Sequence, residues 1–202
     1  MPGNLTREEL QARGLKPGEG LIVGTFRVQT FNRDGEEVNG SVSGIAIGGK
    51  GGEKGFRVSP GNFSKTDETF AIPVPAGDYE LNYWSITAMG YNQTMTVSNR
   101  LPMSVPFKVN AGEAAYIGRV DAISIYGKNI IQLPVFGQGM VVITDHYDAE
   151  AGRIARDYPL VPKNRIRRTD VPKGYLSEMK RIADTPQRTI WNMFKKKSAP
   201  EG

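Results

Sequence analysis

The segment "DHYDAE", residues 145–150, places the only histidine, His146, among Asp145, Asp148 and Glu150. An imidazole beside carboxylates is the raw material of acid–base catalysis or of a metal centre, because it titrates near neutrality and the acids can orient it or share a cation. Each chemistry lacks a part. A serine triad needs a nucleophile elbow, and no G-x-S-x-G occurs in the chain. Zinc needs more nitrogen or sulfur ligands than one imidazole supplies, and cysteine is absent. Three carboxylates could hold calcium, yet their order is not that of an EF-hand loop. A strand end followed by a helix cap at Asp148 explains the same residues. The alternative is a metal-dependent ligand-binding or hydrolytic use of the Asp145–Glu150 loop.

"GIAIGGKG", residues 44–51, has the glycine and lysine spacing of a phosphate-binding loop. The match fails where the chemistry needs it: Gly51 replaces the hydroxyl residue that would hold Mg²⁺, and further glycines follow instead of a helix start. These glycines are expected to form a hairpin loop. No catalytic residue, metal ligand or cofactor is assigned.

Two surfaces remain for binding. Tyr79, Tyr83, Trp84 and Tyr91 crowd one region. Strict strand alternation sets Trp84 on the face opposite Tyr79 and Tyr83, so Trp84 is the candidate exposed aromatic, while cross-strand packing is the ordinary use of the cluster. The second surface is the C-terminal region. From Pro159 to the end there are eleven Lys/Arg against four Asp/Glu, so the positive charge of the protein (+5 overall) belongs to this region. "KNRIRR" contributes Arg165, Arg167 and Arg168, and "TIWNMFKKK" sets Trp191 and Phe194 beside Lys195, Lys196 and Lys197. Apolar and basic residues on one short helix suit an anionic membrane surface or the groove of a partner protein. Nucleic acid is a lesser alternative. A solvated extension is the structural one.

The elements that must position these residues are mostly strands. A chain of 202 residues with 24 glycines and 13 prolines fits one β-rich domain with an extension. Thr6 to Glu9 reads as a capping box, with Leu5 and Leu10 as a hydrophobic staple and Gly14 as the stop of a short helix. From "LIVGTFRVQTF" onward, turn-rich stretches separate runs with apolar residues at every second position. Phe70, Ile72 and Val74 share a face, as do Val105, Phe107 and Val109. "VPAGDYELNYW" (74–84) and "VNAGEAAYIGRV" (109–120) read as two equivalent hairpin corners, and "NIIQLPV" with "MVVITDH" as a late hairpin. After His146 the period changes: Ala151, Ile154, Ala155 and Tyr158 fall on one helical face before Pro159. Two weaker helices are expected around 176–183 and 186–197. The reading is therefore a helix and linker over 1–19, an antiparallel β-sandwich with a terminal helix over 20–161, and a basic, partly helical extension over 162–202.

The order "FAIPVPAGDYELNYW", "VPFKVNAGEAAYIGRV" and "DHYDAEAGRIARDYPLV" resembles that of bacterial envelope proteins, often lipoproteins, with a transthyretin- or immunoglobulin-like sandwich. The matching positions are Pro75, Gly77, Tyr79, Leu81, Phe107, Val109, Gly112, Glu113, Tyr116, Ile117, Gly118, Tyr158 and Pro159, and the resemblance covers about residues 20–161. It implies a non-enzymatic structural or protein-binding module of the periplasm or outer membrane, the cytoplasm being the alternative. Its partners would be another envelope protein, an anionic membrane surface or further copies of itself. Such a protein carries a signal peptide and a lipidated cysteine, which "MPGNLTREEL" does not supply, so either that segment lies ahead of Met1 or the envelope location does not hold.

Overall fold

The Thr-x-x-Glu start forms as read. Thr6 Oγ1 accepts from the Glu9 amide at 3.1 Å and Glu9 Oε2 accepts from the Thr6 amide at 2.8 Å, closing the capping box of α1 (Arg7–Arg13). The computed structural model describes residues 5–32, 36–37, 42–51, 55–58, 68–89, 94–99, 103–128 and 134–170. Among the described residues ten strands follow α1: β1 (Glu19–Phe31), β2 (Val42–Gly51), β3 (Phe56–Val58), β4 (Glu68–Pro75), β5 (Gly77–Met89), β6 (Thr94–Ser98), β7 (Val105–Val109), β8 (Ala114–Lys128), β9 (Pro134–Thr144) and β10 (Ile166–Arg168). A second helix, α2 (Tyr147–Asp157), lies between β9 and β10.

The strands make two sheets. In the first, β4, β1 and β8 run side by side, and β9 and β10 share the far edge of β8. In the second, β3, β2 and β5 run side by side, and β6 and β7 share the far edge of β5. The second sheet is antiparallel throughout. The first corrects the all-antiparallel expectation: β1 and β8 are parallel, with Val23 beside Tyr116 and Arg27 beside Asp121, and β10 is parallel to β8 as well. Apolar alternation reports which face of a strand is buried and carries no information on the direction of its neighbour.

The two echoing turns are equivalent, but neither is a hairpin. Pro75–Gly77 leads from β4 in the first sheet to β5 in the second, and Asn110–Glu113 leads from β7 in the second sheet back to β8 in the first. Both dock on the start of β1: the Ala76 amide donates to Gly18 O at 2.8 Å and the Gly112 amide to Glu19 O at 2.8 Å. Tyr79 locks its own corner by donating from Oη to Pro75 O at 2.7 Å. The late hairpin is also corrected. Pro134 and Val135 lie in the same strand, β9, as Met140–Thr144, and the partner of β9 is β8. Residues 129–133 of that reading fall outside the described residues.

Gly44–Gly51 is strand, not loop. At Gly49 a Cβ would lie 1.8 Å from Glu80 O, so the residue is glycine because β5 passes too close for any side chain. Opposite this point Leu81 pairs with Gly49 and Tyr83 with Gly48, leaving Asn82 as an extra residue in β5. β8 has the same device: Val23 pairs with Tyr116 and Thr25 with Arg119, and the extra residue is absorbed at Gly118, whose φ of 105° is open to glycine. These two bulges sit where the edge neighbour changes, from β7 to β6 along β5 and from β10 to β9 along β8. A bulge bends its strand and interrupts the ladder, so one neighbour ends there and another begins.

Each bulge also reverses the inward phase. Tyr79 and Leu81 point into the core, and past Asn82 so do Trp84, Ile86 and Ala88. This corrects the expectation for Trp84, which is 6% exposed, whereas Tyr83 is 41% exposed. In β8 the inward residues are Ala115 and Ile117, then Val120 and Ala122. The resulting apolar cluster draws on both sheets, with Phe70, Ile72 and Val74 from one and Phe56, Tyr79 and Phe107 from the other. The rings of Tyr79 and Phe107 stack at 5.8 Å, and Phe56 meets Phe107 edge-on at 5.7 Å.

The outer face of the first sheet is covered separately. Leu21, Val23, Ala71, Ala114 and Tyr116 meet Leu10 of α1, Ala151 and Ile154 of α2, and Tyr158, Val161 and Ile166 beyond it. The face read for α2 is therefore the one it buries. Its cap differs: His146 is the N-cap and makes no side-chain cap bond, and Asp148 lies in the first turn. Ile166–Arg168 join the sheet as β10, so the basic extension is anchored near its start. The helices expected around 176–183 and 186–197 fall outside the described residues.

Candidate functional site at the start of the second helix

Glu150 is the centre of the charged cluster. On the helix it shares a face with Ile154, four residues on, and is buried with it against the first sheet. Its Oε2 accepts from Thr25 Oγ1 at 2.9 Å and from Tyr116 Oη at 2.7 Å. Arg119 Nη1 stands 4.0 Å from Glu150 Oε1, and Arg119 Nε donates to Asp121 Oδ1 at 3.2 Å. Tyr116 Oη in turn accepts from the His146 amide at 3.2 Å. One carboxylate thus ties α2 to β1 and β8, and the phenol beside it holds the residue before the helix.

Burial, then the hydrogen bond to Glu150, pushes the Tyr116 phenol well above its ordinary value. It is a neutral donor at physiological pH, not a base. Burial raises the Asp121 carboxyl against the opposing pull of Arg119. Such groups can bind and orient one another, and here their partners are in the same chain.

The remaining acids of the 145–150 segment point elsewhere. Asp145 accepts from the Tyr147 amide at 3.0 Å and pairs with Arg168 of β10. Asp148 and His146 are exposed. Among the described residues no group of three or more His, Cys, Asp or Glu side chains could hold a metal ion. Comparison with protein families, with curated proteins and with solved structures finds no match for this chain.

The three basic residues singled out near the start of the extension lie together. Arg167 donates to Glu113 Oε1 from Nε at 3.0 Å and from Nη2 at 2.5 Å, Arg168 pairs with Asp145, and Arg165 is exposed beside Gly112. Trp191, Phe194, Lys195, Lys196 and Lys197 fall outside the described residues. Tyr147 completes the attachment of β10 by donating from Oη to Ile166 O at 2.7 Å. β10 is too short to hold its place by backbone pairing alone, so these side chains fasten it.

The hydrogen bond from Arg167, then that from Asn110, lowers the Glu113 carboxyl to about 2 from 4.5. A carboxylate depressed in the folded state contributes stability that is complete above pH 4.5 and is lost as pH falls toward about 2. The loss over that window should be smaller in Glu113→Gln than in the parent, measured as melting temperature against pH. The difference will be modest because solvent screens the pair.

The pairing of Glu150 with Tyr116 and Thr25 escaped sequence reasoning, although one signal was present. Glu150 falls on the helical face that carries Ile154, and an acid on a buried face requires donors opposite it.

Proposed function

We propose that this chain is a non-enzymatic β-sandwich module of the transthyretin- or immunoglobulin-like kind, working in the bacterial envelope as a structural or protein-binding protein. The observation that carries this reading is where the reactive side chains go. Glu150 is partnered across elements with Thr25, Tyr116 and Arg119, and Asp145 with Arg168, in an arrangement that fastens α2 and β10 to the first sheet, while Asp121 accepts from Arg119 within β8. The sandwich type is supported by two sheets that share one apolar cluster and by the Tyr79 corner between them, the device by which immunoglobulin-like domains fix a sheet-to-sheet crossing. The envelope location is supported by the motif order over residues 20–161.

In this reading the basic C-terminal region contacts a partner protein or an anionic membrane surface, with Arg165 at its anchored end and Lys195, Lys196 and Lys197 at its far end. Vesicles of phosphatidylglycerol and phosphatidylethanolamine test the membrane arm. The full chain should co-sediment with them at low salt, and replacing Lys195, Lys196 and Lys197 by alanine should weaken binding at least tenfold, at about 1 kcal/mol per basic residue near the surface. Turnover of any substrate that His146→Ala or Asp145→Asn abolishes would overturn the non-enzymatic reading.

A further inference from the structure

Sheet edges attract other strands, and the described edges of this protein are mostly defended. β4 carries Pro73 and Pro75, β7 carries Pro106 and Lys108, and β3 and β10 are three residues long, β10 with two arginines. β9 shows no exposed residue over 139–144. β6 differs from all of these. Thr94-Met95-Thr96-Val97-Ser98 contains no proline, glycine or charge, ends its sheet, and is exposed at every position except the half-buried Val97.

The orientation of that edge follows from its pairing. Trp84 O accepts from the Asn99 amide at 3.3 Å, and the Asn99 side chain bonds the bulge by accepting from the Trp84 amide at 3.2 Å. Antiparallel ladders alternate, so Val97 and Met95 are the residues bonded to Ile86 and Ala88. Thr94, Thr96 and Ser98 therefore direct their backbone N–H and C=O groups away from β5. Met95 and Val97 lie on the inward face, opposite Ala88 and Ile86, and Met95 is left 39% exposed at the open margin of the core.

We propose that β6 is a self-association edge that pairs antiparallel with β6 of a second copy, about a two-fold axis at Thr96. In that register Thr96 faces Thr96 and Thr94 faces Ser98, and these are the residues whose backbone groups are turned outward, giving roughly six hydrogen bonds between the copies. Met95 of each copy faces Val97 of the other, which extends the inward apolar face across the junction. No like charges meet. A second copy suits this edge because the five side chains are complementary to their own reversal, and a two-fold contact requires that. The inference stands apart from the basic C-terminal region and survives if that region binds nothing.

The interface is small, in the range of weak association, so the full chain should pass from monomer to dimer over about 10–100 μM in sedimentation velocity. Thr96→Lys, which sets two ammonium groups face to face at an exposed site, should weaken the dimer at least tenfold with unchanged circular dichroism. Because the protein has no cysteine, Thr96→Cys provides a second readout. Facing residues of a hydrogen-bonded pair stand about 5.5 Å apart at Cα, within disulfide reach, so oxidation should give a covalent dimer. Thr87→Cys, one strand further in, should give none. A monomer throughout the range, an occupied edge being one way to produce it, or a dimer indifferent to Thr96→Lys, would overturn the proposal.

Discussion

Trp84→Ala is expected to destabilise the protein by about 3–5 kcal/mol, and Tyr83→Ala by less than about 0.5 kcal/mol. The two aromatics are adjacent in β5, and only the bulge at Asn82 decides which of them fills the core. With Trp84 buried beside Ile86 and Ala88, truncation removes the transfer energy of an indole and leaves a void that the sheets cannot close. Tyr83 faces solvent, so its loss removes little that folding had buried. Urea denaturation of both variants reads the difference, and a reversed order would mean that β5 runs without the bulge.

Glu150→Ala should cost about 3 kcal/mol, because it strands two hydroxyl donors, Thr25 Oγ1 and Tyr116 Oη, under a helix. Glu150→Gln keeps an acceptor of nearly the same shape and should cost about half as much, since a neutral acceptor forms the weaker bond. The loss should appear as early release of α2, seen as faster amide exchange over 147–157 than in the strands of the second sheet. A uniform loss of protection in both sheets would show instead that α2 is not a separable layer.

What was legible in the chain was what neighbouring residues decide between themselves. The capping box at Thr6 and Glu9, the apolar face of Ala151 and Ile154, and the shared faces of Phe70, Ile72 and Val74 are all written within one turn or one strand. The parallel pairing of β1 with β8 was not legible, since it depends on which sheet each corner delivers its strand to. The orientation of Trp84 was misread for a related reason. Asn82 has no backbone signature that marks a bulge, and the glycine that makes room for the close approach, Gly49, lies in a strand more than thirty residues earlier. The pairings of Arg167 with Glu113 and of Arg168 with Asp145 join residues remote in sequence, which the charge count from Pro159 onward recorded only as an excess.

The charged cluster and the sheet-to-sheet corners support each other. Glu113 belongs to the turn that enters β8, Asp145 to the loop that leaves β9, and the short β10 is clamped between them by Arg167 and Arg168. A residue retained for reactivity is commonly held against the interest of stability, so that removing it leaves a sturdier protein. A residue that fastens elements together behaves in the opposite way.

A double-mutant cycle on Glu150→Gln and Tyr116→Phe separates these cases most directly. If the pair joins α2 to the first sheet, each single variant is less stable than the parent and the two are coupled by about 1–2 kcal/mol in urea denaturation. Variants as stable as the parent or more so, with coupling near zero, would contradict the architectural role and return this cluster to consideration as a reactive site.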